Sequence, residues 1–429
     1  MRFILDSNSL LTNLCTYLSY TMKNTFLFLF VILAIPAAKA GGSQVNLQGQ
    51  KQQGMGHVAT AFTQGAENLF FNPGSISFLS EKTMISFGVN GIFSGVAFQG
   101  LNESQVYRNE PGVSTPFNLY VTHKLSDRFA AGIGIYIPFG STLNWEEEWK
   151  GRYIVQKVEL RTFYIQPTIS YKVNEKLGIG IGGVIGVGSL SLEKDIPVSA
   201  TSGERAYVVI EGQDVSYGFN LGLYYELNDK LHLGFDYRSG VEFDVKGGDA
   251  NFFVPNALAD KFPAKNTFDA SLPLPSTTTL GLKYKVSEKL SLGMDLSMVG
   301  WGVYDELNID FETNTESLED LKSIKDYSNV FIIRVGGEYQ YNEKIIGRFG
   351  AYFDQTPVSD MYFSPETPDM NKIGLCTGFS YQFSSRSSLD ISYIFLTGAE
   401  RDIKNIEEGF QGTVKSIGHI PGIGYSYKF

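Results

Sequence analysis

The chain has 429 residues, of which only 19% are charged and 14% aromatic, with 32 Phe and 24 Tyr beside 46 Gly. That mixture favours strands and tight turns over helices. A net charge of −10, with no run of five like charges, argues against nucleic acid as a partner. Two distant cysteines (Cys15, Cys376) and four scattered histidines (His57, His123, His232, His419) make no metal-ligand or redox spacing, so no metal and no cofactor is expected.

Residues 1–21 read as an upstream extension, with the true start at Met22. From Lys23 a positive flank leads into an apolar stretch, Phe26 to Ala38, too short to span a bilayer as a helix, then Ala38-Lys39-Ala40 as a small-x-small cleavage site. Residues 22–40 are thus a secretory signal peptide, and the mature chain is expected to begin near Gly41. No other segment reaches the ~18 apolar residues of a membrane helix. An exported chain of this kind is soluble or a closed barrel.

Residues 41–82 do not alternate. Small residues (Gly54, Gly56, Ala59, Ala61, Ala66), the pair Phe70-Phe71 and the turn signal Asn72-Pro73-Gly74 suit either a periplasmic tail or a plug folded into a tube. Beyond residue 83 period-two alternation dominates. Leu292, Met294, Leu296 and Met298 alternate with Gly293, Asp295 and Ser297, and Tyr381 alternates with Gln382. In the run from Leu231, residues Leu231, Leu233, Phe235, Tyr237, Val241, Phe243 and Val245 are expected on one face, and His232, Asp236, Arg238, Glu242 and Asp244 on the other.

Fourteen strands are expected over 83–98, 113–124, 129–138, 154–172, 177–194, 213–227, 231–246, 275–286, 290–309, 328–341, 345–354, 371–384, 388–402 and 416–429. Short polar turns (LSDR, VNEK, LNDK, VSEK, YNEK, SSRSS) alternate with long loops such as 195–212, 246–274, 310–327 and 355–371. That is the pattern of an outer-membrane barrel, with turns inside and loops outside. The chain ends GIGYSYKF, a last strand whose Ile423, Tyr425, Tyr427 and Phe429 share the lipid face. The fold class is all-β: a fourteen-stranded antiparallel transmembrane β-barrel over 83–429, with residues 41–82 as a small N-terminal hatch. A β-sandwich or propeller is the soluble alternative, but no blade repeat is visible.

Several stretches together resemble the FadL family of outer-membrane transporters of long-chain fatty acids and other hydrophobic compounds. They are GMGHVATAF…AENLFFNPGSIS, DRFAAGIGIYIPFGSTLNW, YELNDKLHLGFDYRSGVEFDVKG and FDQTPVSD. The chain has Gly74 where the family usually has Ala. The resemblance implies capture of a hydrophobic ligand by outer loops, binding in the lumen, and lateral release at a kinked third strand, with the hatch blocking straight passage. Carried over by position, the hatch comprises Gly54, Gly56, Phe70, Phe71, Asn72, Pro73 and Gly74. The lateral gate is Pro138, Phe139 and Gly140, although Pro138 reads equally as the strand's end. Phe252, Phe253, Leu258 and Phe262 are capture residues or simply loop packing. Lys194 and Arg238 are candidates to hold a carboxylate, Arg238 with ion pairing to Asp236 or Glu242 as the other reading. The implied partners are a long-chain fatty acid or other hydrophobic ligand, outer-membrane lipid and the barrel assembly machinery, which reads a C-terminal Phe. The protein is expected to act as a monomer. Neutral or aromatic hydrocarbons are the alternative ligands. An outer-membrane enzyme lacks a recognisable nucleophile–base motif, and a general porin lacks the plug.

Overall fold

In the computed structural model, which describes residues 42–197 and 205–429, strand segments join edge to edge into a closed ring of fourteen antiparallel strands. In order they are Thr83–Asn90 with Phe93–Gly100; Val106–Arg108 with Phe117–Lys124; Phe129–Tyr136 with Gly140–Asn144; Lys157–Lys172; Leu177–Asp195; Tyr207–Glu226; and Leu231–Arg238 with Val241–Phe253. The second half is Lys265–Leu274 with Thr277–Lys285; Leu290–Val299 with Glu306–Phe311; Leu321–Ile324 with Val330–Gln340; Ile345–Asp354; Lys372–Ser384; Ser387–Gly398 with Arg401–Lys404; and Gln411–Lys428. The last strand pairs with the first, Tyr427 opposite Ile85, so no edge is left open. The upstream extension, the signal peptide and the cleavage point fall outside the described residues.

The short turns share one chemistry. Asn174, Asn228 and Asn342 each accept two backbone N–H bonds from the residues two and three positions on. Ser126 and Ser287 accept the equivalent pairs in LSDR and VSEK. A short side chain that caps its own turn is why these tetrapeptides repeat.

Around the middle of the ring the alternation runs as expected. Leu292, Met294, Leu296 and Met298 are exposed, whereas Asp295 and Ser297 are buried. In the final strand Ile423 and Tyr425 are exposed and Tyr427 is half-buried, with Phe429, just past its end, exposed. This outward apolar belt is the lipid-facing band.

The seventh strand departs from expectation. It breaks at Ser239-Gly240, and beyond the break the faces exchange. Val241, Phe243 and Val245 are buried inside, while Glu242, Asp244 and Lys246 are exposed outside. The cause is local. The Ser239 hydroxyl accepts the Phe219 N–H at 2.9 Å, taking a rung from the ladder. A Cβ on Gly240 would stand 2.7 Å from the Leu274 carbonyl. The run from Leu231 is therefore two half-strands of opposite polarity, not one continuous face. The supposed loop 246–274 is mostly strand for the same reason: outside the lipid band the wall is built like a soluble sheet, charged outside and apolar inside.

Residues 42–82 lie within the ring. They form a helix Gln50–Gly54, a turn of helix Asn68–Phe71 and a 3₁₀ segment Pro73–Phe78, most of it buried. Strand glycines make the room. A Cβ on Gly180 would stand 2.4 Å from Pro73, one on Gly132 2.6 Å from Leu69, and one on Gly350 2.2 Å from Met55.

Candidate functional site

The ladder is broken in the third strand. Pro138 has no N–H to give the ladder. Towards the second strand the last rung is Tyr136 opposite Asn118. Towards the fourth, Tyr136 faces Tyr164 but Gly140 faces Arg161. Four steps on one strand thus match three on the other, a one-residue bulge. Thr162 fills the break with its hydroxyl, which accepts the Phe139 N–H at 3.2 Å and donates to the Phe139 carbonyl at 2.6 Å. The second strand turns away: Pro116 and Ser114 accept from Asn90 and Ile92 of the first strand. Among the described residues no backbone bond joins the second and third strands again until Glu110 donates to Asn144 at 2.7 Å.

The start of the lumen segment covers this break from inside. Val45 donates to the Pro138 carbonyl at 2.8 Å and Gly140 donates to Ser43 at 3.1 Å. Gln48 reaches the Ile137 carbonyl at 3.0 Å. Pro138 and Phe139 are both buried against it, and Gly140 is half-buried.

Behind the break lies a cavity of about 50 Å³, bounded by His57, Phe70, Phe139, Arg238, Asp295 and Arg334 among others. That is room for about three or four waters. Three of its charged wall residues, Asp295, Arg334 and Arg238, hold the lumen segment. Asp295 accepts from Ala59 N, Thr60 N and the Thr60 hydroxyl at 3.0, 3.1 and 2.8 Å. Arg334, opposite Asp295 in the strand register, donates to Ser297 at 2.6 Å and Asn46 at 3.2 Å. Arg238 donates to the Phe70 carbonyl at 2.8 Å, to Gln166 at 2.7 Å and to the Tyr136 hydroxyl. Its guanidinium lies 4.4 Å from the Phe70 ring centre. The expected ion pairing of Arg238 is replaced by these bonds. Asp236 bonds Asn220 at 2.7 Å, and Glu242 sits on the outer face with Ser271, beyond the Ser239-Gly240 break.

The other lumen residues are packed by the wall. Asn72 donates to the Thr60 and Leu223 carbonyls at 2.8 and 2.9 Å and accepts from Gly74 N at 3.0 Å. A Cβ on Gly74 would stand 2.8 Å from the Gly178 carbonyl and 2.9 Å from that of Gly222, so this chain has room only for glycine there. Gly54 touches Gly378, and Gly56 takes a left-handed φ of +70° beneath Ala351. Phe71 meets His57 edge-on at 4.8 Å and Phe70 at 5.0 Å.

Above the lipid band a second space of about 30 Å³ is bounded by Leu160, Leu190, Phe243, Val245, Phe268 and Leu307 among others. Phe252 and Phe262 pack together at 6.0 Å in the apolar cluster just beyond it, with Leu258 against its edge. Phe253 points outward, 48% exposed and stacked on Tyr207 at 4.7 Å. Lys194 is half-buried on the inward row above Leu190 and Leu192, so it and Arg238 belong to different places. Over the mouth, Trp145 and Trp149 stack at 4.1 Å, and Lys325 pairs with Glu366 at 2.7 Å. Burial opposes both charges of that pair. The contact nonetheless holds the Lys325 pKa above its ordinary value and that of Glu366 below.

Arg334, His57 and Thr162 were not singled out by sequence, and Asp295 was marked only as one member of an alternating run. The signal for Asp295 and Arg334 was a lone charge inside such a run, as in MDLSM and IIRVG; His57 and Thr162 carried none.

The profile of the family described as "Outer membrane protein transport protein (OMPP1/FadL/TodX)" matches residues 31–429. A putative outer membrane protein of Neisseria meningitidis serogroup B is 23% identical, over 95% of this chain and 99% of its own length. A long-chain fatty acid transport protein of Salmonella typhi is 23% identical over 94% and 98%. Among solved structures, a Pseudomonas aeruginosa FadL homologue superposes with a TM-score of 0.82 at 20% identity, covering 91% of this chain and all of that one. The P. putida toluene transporter TodX gives 0.68 at 16% identity, over 91% and 99%.

Proposed function

The chain belongs to the OMPP1/FadL/TodX family of outer membrane transport proteins, and from that footing we propose that it takes up long-chain fatty acids by outer capture, lumen binding and sideways release into the membrane. The observation that carries the reading is the exchange of polarity at Ser239-Gly240. A water-filled porin has a polar interior. Here the outer chamber is lined by Leu160, Leu190, Phe243, Val245 and Phe268, a surface suited to an acyl chain. An apolar ligand gains ~0.8 kcal/mol per buried CH₂. Release into water would forfeit that gain; release through the wall into lipid keeps it.

In this account Phe252, Leu258 and Phe262 bound the capture chamber, and Lys194 attracts a carboxylate at its rim. Phe253, on the outer face, meets the ligand only before entry. Residues 41–82 act as a hatch, with Gly54, Gly56, Phe70, Phe71 and the Asn72-Pro73-Gly74 turn seating it against the wall. Pro138, Phe139 and Gly140 form the lateral gate. The inner cavity is too small for an acyl chain, so residues 43–48 must move for the ligand to pass. Arg238 and Arg334 line that cavity beside Asp236 and Asp295, so a carboxylate headgroup binds there only by taking a guanidinium from its present partners. The apolar outer chamber equally suits a neutral or aromatic hydrocarbon, the second reading; a relative described as a fatty acid transport protein and a neighbour described as a toluene transporter stand on the two sides.

The test uses the purified protein in liposomes. Uptake of a long-chain fatty acid is measured with and without an excess of its methyl ester or of toluene, alongside conductance to small ions. Fatty-acid uptake with little ion conductance, competed weakly by the neutral compounds, is expected. Ion conductance without uptake would overturn the transport reading, and strong competition by toluene would move the ligand to the hydrocarbon class.

A further inference from the structure

The break in the third strand has an outer face as well as an inner one. Pro138 and Phe139 both turn inward to the cavity, and Gly140 has no side chain. Beyond Ile137 the wall is therefore bare towards lipid at the level where its ladder is missing. Two aromatic rings stand over this bare patch. Phe117 begins the regular part of the second strand, one residue before the last rung to the third. Phe163 lies on the fourth strand, within the stretch that spans the bulge. Both alternate with buried residues, Asn118 on one strand and Thr162 and Tyr164 on the other, so both face outward.

Strands two apart in a sheet are ~9.6 Å apart. The Phe117 and Phe163 ring centres are only 6.2 Å apart, tilted at 43°. The rings thus lean towards one another across the third strand. With Thr162 bonded to Phe139 on the inner side, one strand supplies the prop of the kink from position 162 and its cover from position 163.

We propose that Phe117 and Phe163 are the membrane-side shutter of the lateral exit: two apolar leaves that close the break against lipid and part when a hydrophobic ligand leaves. The inference rests on the lateral route proposed above and adds the residues that the departing molecule touches last. The leaves carry no hydrogen bond, so a ligand or lipid chain can replace their mutual contact without leaving a polar group unmet. A polar solute gains nothing from parting them.

The test staples the leaves. With Cys15 and Cys376 replaced by Ser, Phe117→Cys and Phe163→Cys are bridged by a bis-maleimide whose spacer contains a disulfide. A control bridge joins Ile169→Cys and Leu221→Cys, which flank Ile181 of the fifth strand in the same way. In liposomes, uptake of a long-chain fatty acid through the Phe117/Phe163 bridge should fall to that of protein-free vesicles and return on reduction, with the control bridge harmless. Uptake at the unbridged rate through the stapled protein overturns the shutter, as does an equal block by the control bridge. Failure of the cysteine-free parent, with both phenylalanines intact, to take up fatty acid overturns the transport reading and the shutter with it. A second measurement avoids the cysteines. A benzophenone side chain replacing Phe163 should label a fatty acid early in uptake more than the same group replacing Phe349, which is exposed on the eleventh strand. Equal early labelling overturns the proposal.

Discussion

Val45 donates its backbone N–H to the carbonyl of Pro138 at 2.8 Å. A residue from the lumen segment thereby meets an acceptor that the wall leaves unused, at the place where the third strand lacks a donor of its own. If residues 43–48 are the inner seal, Val45→Pro removes the donor while leaving the barrel ladder untouched. Fatty-acid uptake into liposomes should become faster, with heat-resistant migration unchanged. An unaltered rate would show that opening this seal does not limit transport.

The two faces of the ninth strand should respond differently to substitution. Leu296→Arg places a charge in the lipid band and should cost ~2–4 kcal/mol of barrel stability near mid-bilayer, read by urea unfolding. Asp295→Ala instead frees three donors of Ala59 and Thr60, a loss of ~1–3 kcal/mol for each unmet group. That loss falls on the seating of the lumen segment, so brief ion-conducting openings should appear in planar bilayers. Silent recordings from Asp295→Ala would contradict the role given to that carboxylate.

The outer chamber separates the aromatic residues by face. Phe243→Ser removes an inward ring worth ~1.5–3 kcal/mol of apolar contact, on the order of ten- to a hundredfold in ligand affinity. Phe253→Ser removes a ring that lies outside on Tyr207 and should change affinity little. Fluorescent fatty-acid titration distinguishes them, and equal effects would reject the chamber.

The mouth carries a pH signature. Burial works against the Glu366 charge, but Lys325 and the Ser364 hydroxyl hold its pKa below the ordinary 4.5. A depressed carboxylate stabilises above its unfolded pKa, and that contribution disappears as pH falls through the folded value. Loop 355–371 should therefore resist protease at pH 5 and loosen only well below pH 4.5. Lys325→Met leaves the Glu366 carboxylate buried without its cation. That variant should be cut readily at pH 7 and become more resistant on mild acidification, the reverse trend.

The barrel was legible because alternation, turn tetrapeptides and the aromatic last strand are local signals. Asn174 caps its turn by itself, and Leu292 faces lipid through spacing alone. Legibility failed where a local break changes a distant face. Nothing between Tyr237 and Val241 announces that the Ser239 hydroxyl will take a rung from Phe219 and turn Phe243 inward. The site failed for a related reason. Arg238 was visible as a lone cation, but its partners, Phe70 and Gln166, come from far along the chain. Arg334 meets Asp295 only through the pairing of the ninth and tenth strands. Sequence marked Pro138 as a place where pairing stops; that the lumen segment supplies the missing donor is a tertiary fact.

The central claim is that the ligand leaves through the wall at the third strand. Replacing Pro138 by Val restores a donor but leaves the extra residue in place, so it should slow uptake only partly. Deleting Phe139 removes that residue and lets the register of Tyr136 with Tyr164 continue to the strand's end. The most direct measurement is fatty-acid uptake by liposomes carrying the Phe139 deletion, with heat-resistant migration and ligand binding recorded on the same preparation. Loss of uptake to the level of protein-free vesicles, with assembly and binding retained, is the predicted result. Uptake at the wild-type rate from a correctly assembled deletion would contradict lateral release.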